Sequence, residues 1–184
     1  ASPTTSRINT NSYLDYFRPL ADTGKDIIHI CLTTGMSSQF DSLIEAFEIL
    51  EKLIIETINN NFHDNENLVF VSGMAKGADE IFALIAMKMK KKLILCIPNK
   101  ISWHKSRGAD RYDEILNYEN VEIKEIKKDY NGGNFYYEYL ARNQAMVDLI
   151  DDDGALLAFH RYDSGGVVDT IRRAKKANKK IIEF

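Results

Sequence analysis

The chain's 184 residues suffice for one well-packed α/β domain and are few for two; 45% apolar and 28% charged residues exclude wholesale disorder. With 24 basic against 27 acidic residues the formal charge is −3, so no global basic field recruits nucleic acid. No apolar run approaches the roughly 20 residues that span a bilayer and no signal-peptide pattern opens the chain, so no membrane partner is expected. Cys31 and Cys96 sit inside the apolar runs IIHICL and LILCIP and read as buried small hydrophobes, which points to the cytoplasm. The four histidines lack ligand spacing and no CxxC occurs, so neither a metal nor a cofactor is expected.

Residues 1–26 are polar and turn-rich apart from YLDYF (13–17), and read as an arm or short helix laid on a single domain, 27–184. The apolar run IIHICL (27–32) predicts a strand, TTGMSS a loop, and DSLIEAFEILEKLIIETI (41–58) a helix with a broad apolar face. That face permits a homo-oligomer, and covering a sheet accounts for it equally. LVFVSG (68–73) predicts a strand, followed by a helix through residue 90 and a strand KLILCIP (92–98) stopped by Pro98. A polar segment, 99–120, holds Trp103 and the helical RYDEILNY, and VEIKEI (121–126) alternates as an edge strand does. FYYEYLARNQAMVDLI (135–150) predicts a helix entered through NGG (131–133). GALLAFH (154–160) predicts a strand, RYDSGG a loop, VVDTIRRAKKANK (167–179) a helix and KIIEF (180–184) a last strand.

Continuous apolar strands alternating with helices predict a doubly wound, Rossmann-like α/β fold, its mostly parallel sheet covered by helices on both faces. Ligands of such sheets sit outside the carboxyl ends of the strands, where TTGMSS, SGMAKGAD and HRYDSGG all fall. In SGMAKGAD, the glycines Gly73 and Gly77 around Met74 let backbone approach a phosphate, Ser72 offers a hydroxyl, and Asp79 caps a helix or accepts from a ribose. A plain capped turn explains the stretch equally well. Gly165 and Gly166 precede a helix whose first turn holds Asp169 and Thr170, again a phosphate cradle or a flexible turn. Thr34 and Gly35 belong to the first loop, which is a cradle or a plain connection. Arg142 and Asn143 in ARNQ read as an anion clamp or a surface ion-pair partner.

SGMAKGADEIFALIAMK resembles the SGxAxGxD segment of the DprA/Smf proteins and the GGxxGAD segment of the YspA and YpsA-like proteins. ARNQAMVDLIDDDGALLAFH is similar to the RNxxMV and LLAF pieces of the latter group, and SGGVVDTIRRAKKANKKIIEF to its ending. All belong to the SLOG superfamily of Rossmannoid nucleotide-binding domains, which also includes the LOG phosphoribohydrolases. The resemblance implies a nucleotide or nucleotide-derived ligand, with Ser72, Gly73, Gly77 and Asp79 on one side of it. Arg142 and Asn143 would meet its phosphate or ribose, and Gly165, Gly166 and Thr170 would cradle a phosphate. Trp103 matches the tryptophan of the YspA-like pattern and would stack on a base or pack at the rim.

One departure bears on chemistry. The LOG enzymes carry PGGxGTxxE, whose glutamate serves N-glycosidic cleavage; here Arg172 stands at that position, Asp169 replaces the threonine, and no proline precedes the glycines. Asp79, Asp163 and Asp169 are the carboxylates that could substitute, Asp79 and Asp169 being the catalytic candidates. A nucleotide-binding module is therefore the first expectation and a nucleotide 5′-monophosphate N-glycosidase, a hydrolase, the second. DprA-like single-strand binding comes last, because KMKKK (88–92) and RRAKKANKK (172–180) lack interleaved aromatics.

Overall fold

The computed structural model describes residues 39–62, 67–127, 136–159 and 165–184. The arm at 1–26, the predicted strand at 27–32, Cys31, Thr34, Gly35, the NGG loop and Arg161–Ser164 of the last loop lie outside the described residues. The chain divides into two compact units, Ala1–Asn61 and Phe62–Phe184. In the first, helix α1 runs from Gln39 to Asn61, with Ile54 and Ile58 buried and Ile49 and Leu53 exposed.

The second unit carries the order β1 (Val69–Ser72), α2 (Ala78–Lys88), β2 (Lys92–Pro98), α3 (Ile101–His104), α4 (Tyr112–Leu116) and β3 (Val121–Ile126). It continues through α5 (Tyr136–Asp148), β4 (Ala155–Ala158), α6 (Gly166–Lys176) and β5 (Lys180–Glu183). β2 is the central strand of a parallel sheet ordered β1-β2-β3, and every residue after Lys92 in it is buried. An all-apolar strand needs cover, and helices α2 and α5 supply it by packing on β2. Pro98 has no N–H to donate and closes the strand; the next amide, Asn99 N–H, donates to the Ile126 carbonyl at 2.8 Å. At the sheet's edge, Lys92 pairs with Glu122 at 2.7 Å, and such charge discourages pairing with another strand.

β4 and β5 form a second parallel pair, prolonged by Phe184 N–H donating to the Ala158 carbonyl at 3.0 Å and by Phe159 stacked on Phe184. α6 packs on both strands, and α5 packs on β2, β3 and α6, so α5 joins the first sheet to the helix that covers the second. The architecture is thus mixed α/β with parallel strands. Where the sequence predicts one continuous sheet, the described residues form a three-stranded and a two-stranded sheet. Among them, no helix is long and apolar enough to cross a membrane.

Both α2 and α6 stop in the same way. Lys90, at φ 55°, donates its N–H to the Met87 carbonyl at 3.0 Å while Lys91 N–H reaches the Ala86 carbonyl at 2.9 Å. Asn178, at φ 53°, repeats the pattern with Lys175 and Ala174. These are Schellman closures, which satisfy the last carbonyls through a left-handed residue. Lys88, Arg173, Lys175 and Lys176 lie in the last turns, where cations meet the negative end of the helix dipole. Glycine adopts the left-handed region without the Cβ penalty that Lys90 carries. Lys90→Gly is expected to stabilise the protein by about 0.5–1 kcal/mol and raise its Tm by about 1–4 °C, measured by thermal denaturation.

Candidate functional site

β1 and β2 end at the same side of their parallel sheet, where the β1–α2 connection and Trp103 follow; β4 belongs to the second sheet, and Arg142 and Asn143 lie on α5. The β1–α2 connection is held by its own polar groups. Ser72, 1% exposed, donates its Oγ–H to the Asp79 carbonyl at 2.8 Å and accepts the Met74 N–H at 3.2 Å. Ala75 N–H donates to Asp79 Oδ2 at 3.2 Å, so the turn closes onto the first turn of α2. Met74 is fully buried at φ 57°, a left-handed conformation that a long side chain rarely adopts. Its carbonyl accepts Ala109 N–H at 2.9 Å, which helps to hold it there.

Gly73 is glycine for a reason that spacing alone does not reveal. A Cβ on it would stand 1.9 Å from Arg142 Nη1 and 2.8 Å from Asp79 Oδ2. The space expected to admit a phosphate is filled by a guanidinium of the protein itself. Arg142 lies on α5, is 8% exposed, and donates through Nη1 to the Gly73 carbonyl at 2.8 Å and to Asp79 Oδ2 at 3.3 Å. Its Nε is buried without a hydrogen-bond partner. Tyr139, one helical turn earlier, presents its ring 5.7 Å from the Arg142 Cζ.

The adjacent residue points the other way. Asn143 Nδ2 donates to the Gly166 carbonyl at 3.3 Å and to Asp169 Oδ2 at 3.2 Å, both at the start of α6. Asp169, 9% exposed, also accepts from Arg173 Nε at 2.6 Å and from Arg172 Nη2, while Arg173 Nη1 donates to Gln144 Oε1 at 2.8 Å. Burial alone would raise the Asp169 carboxyl, but the hydrogen bonds from Arg173, Asn143 and Arg172 outweigh it and hold the carboxyl below its ordinary value. Thr170 Oγ–H is spent on the Gly166 carbonyl at 2.9 Å.

Gly77 at φ 86° and Gly165 at φ 105° are the N-caps of α2 and α6, and neither helix start has a side-chain cap. Among the described residues, nothing lies within 4 Å of a Cβ built on Gly77, Gly165 or Gly166. Both helix starts therefore present amides that lack intrahelical partners. The carboxylates of Asp79 and Asp169 are both engaged by arginine.

Trp103 is half-buried on α3, its ring 5.8 Å from that of Tyr139 and 5.0 Å from the Arg107 Cζ. Beside it, His104 is 1% exposed and its Nδ1 shares a hydrogen bond with the Tyr112 hydroxyl at 3.1 Å. Burial, then the charges of Arg142 and Arg107, push the imidazole down to about 4. Burial, with Glu125 and Tyr139 adding to it, pushes the Tyr112 phenol up to about 12. Burial likewise pushes the Cys96 thiol up to about 11, as suits an inert core residue.

Tyr139, His104, Tyr112 and Glu80 escaped the sequence reading. Tyr139 had a usable signal, since it stands three residues before Arg142 on one helix. Glu80 had none: it accepts the N–H groups of Asp110 and Arg111, at 3.2 and 2.9 Å, from 30 residues away. A cleft of about 260 Å³ opens beside these groups, lined by Lys76, Lys105 and Arg111 with Asp110, Asp113 and Glu114. Its cations pair with its carboxylates, Lys76 with Asp110, Lys105 with Asp113 and Arg111 with Glu114, so it offers no net field to an anion. No group of three or more metal-ligating side chains occurs among the described residues.

Gly73→Ala and Arg142→Ala remove the same contact, so their effects on stability should be non-additive. A double-mutant cycle by urea denaturation is expected to give a coupling of about 1–3 kcal/mol. His104 titrates near 4 folded against 6.5 in the unfolded chain, so the unfolded state binds the proton first. Its stabilising contribution is complete above about 6.5 and declines as pH falls from 6.5 towards 4; His104→Asn should flatten denaturation midpoints across that window.

No family model, no curated protein and no solved structure compared with the chain matches it.

Proposed function

We propose that the chain binds a nucleotide or nucleotide-derived small molecule, its phosphate received by the amino ends of α2 and α6. The observation that carries this reading is the pair Arg142 and Asn143. Two neighbouring residues of α5 reach, respectively, Asp79 in the first turn of α2 and Gly166 and Asp169 in the first turn of α6. Two glycine-capped helix starts are thereby anchored to one point, and no described residue lies within 4 Å of a Cβ built on Gly77, Gly165 or Gly166. Helix starts carry about half a positive charge and unpaired amides, which suits an anion with several acceptor oxygens. On this reading the two parallel sheets are parts of one doubly wound, Rossmann-like sheet, and the ligand lies at its strand ends.

Binding is favoured over N-glycosidic cleavage by the state of the carboxylates. Asp169 is held ionised by two arginines and an asparagine, and Asp79 accepts from Arg142 and the Ala75 amide. Neither stands free to trade a proton with a sugar. Nucleic acid is disfavoured by position as well as charge. The lysines of 88–92 run up to the first residue of β2, at the opposite end of that strand from the loops described above.

Adenosine monophosphate and ribose 5-phosphate are both expected to raise the Tm, whereas adenosine alone leaves it unchanged. Val167, exposed in the first turn of α6, tests the placement. Val167→Asp should abolish the phosphate-dependent shift while leaving the free protein as stable or a few tenths of a kcal/mol more so. Absence of a shift with every phosphate-bearing ligand would overturn the reading.

A further inference from the structure

We propose that the outer edge of β3 pairs with the β3 edge of a second copy of this chain, antiparallel across a two-fold axis at Ile123, so that one sheet runs through a homodimer. The pairing is independent of any ligand.

β3 is the last strand of its sheet, with β2 on one side. The Asn120 and Ile126 carbonyls accept the N–H groups of Leu93 and Asn99, at 3.0 and 2.8 Å, and so face β2. Backbone direction alternates along a strand, so Glu122 and Lys124 also turn their N–H and C=O groups to β2. Val121, Ile123 and Glu125 turn theirs outward, where no other described strand pairs with them. Such an edge is a template for a further strand. The Ile123 side chain does not shield it, being itself 39% exposed.

Charge decides which strand the edge accepts. A two-fold axis sets the paired strands antiparallel, and outward groups must meet outward groups. Centring the pair on Glu122 sets that carboxylate against its own copy, and centring it on Lys124 sets ammonium against ammonium; both repel. Centring it on Ile123 puts Glu122 opposite Lys124 on either side of the axis, in the non-hydrogen-bonded pairs where side chains stand nearest. The same register joins the two exposed isoleucines and, just beyond the strand ends, brings Glu119 opposite Lys127. A charged edge keeps most strands away, but VEIKEI read in reverse complements itself.

A six-residue edge makes a small interface, so sedimentation equilibrium should show a weak dimer that forms with rising concentration and weakens with salt. Lys124→Glu and Glu122→Lys each turn both cross-strand pairs repulsive and should weaken the dimer roughly 10-fold or more. Ile123→Lys, which opposes its own copy at the axis, should do the same. All three change exposed or half-buried edge positions and should keep the parent's circular dichroism. An equimolar mixture of Lys124→Glu with Glu122→Lys restores both attractions and should dimerise as the parent does. A parent chain that stays monomeric up to its solubility limit, as it would if another segment of the same chain covered the edge, overturns the proposal. So does a dimer that all three variants leave intact, since the contact then lies on another face. A mixture that stays monomeric overturns the register centred on Ile123.

Discussion

A guanidinium that is nine-tenths buried must find acceptors, because a buried charge without partners is far costlier than a buried hydrocarbon. Arg142 finds them in the Gly73 carbonyl and the Asp79 carboxylate, and the β1–α2 connection is shaped around that requirement. Gly73 has no Cβ because the guanidinium stands where one would be. Asp79, drawn towards the arginine, receives the Ala75 amide, and its own carbonyl receives the Ser72 hydroxyl. Three residues that look like separate ligand contacts are one internal device. The unpartnered Nε shows that the device does not exhaust the arginine's capacity to donate.

The same helix extends the constraint to the second sheet. Asn143 ties α5 to the first turn of α6, and Asp169 gathers Asn143, Arg172 and Arg173 around one carboxylate. Arg172, one helical turn on, adds a second charge that helps to hold the Asp169 carboxyl below its ordinary value. An acid for a leaving base would need the opposite environment, one that raises its pKa. Both helix starts carry glycine at the N-cap, with no side-chain cap.

A second loop braces the first. Glu80 accepts the amides of Asp110 and Arg111, and Ala109 N–H meets the carbonyl of strained Met74. His104, kept neutral by burial and by the nearby arginines, fills the space beneath with Tyr112 and Tyr139. Strain at Met74 is thus offset by contacts from a segment distant in sequence.

Local patterns made much of this architecture legible in the sequence. KLILCIP and VEIKEI form strands over the predicted residues, and the predicted helices begin and end within three residues of the expected positions, because apolar periodicity is a local property; the short α3 was not predicted. The sequence also nominated the loops at the strand ends, and the glycines Gly77 and Gly165 do take positive φ. Only the tertiary structure decided what each side chain does there. Arg142 meets Gly73 across 69 residues and Asn143 meets Asp169 across 26, and no local pattern encodes such partners. The division of the strands between two sheets was likewise beyond a reading of periods, since strand pairing is settled by helices packing between distant segments. A sequence declares which backbone must bend; folding decides which group fills the space the bend leaves.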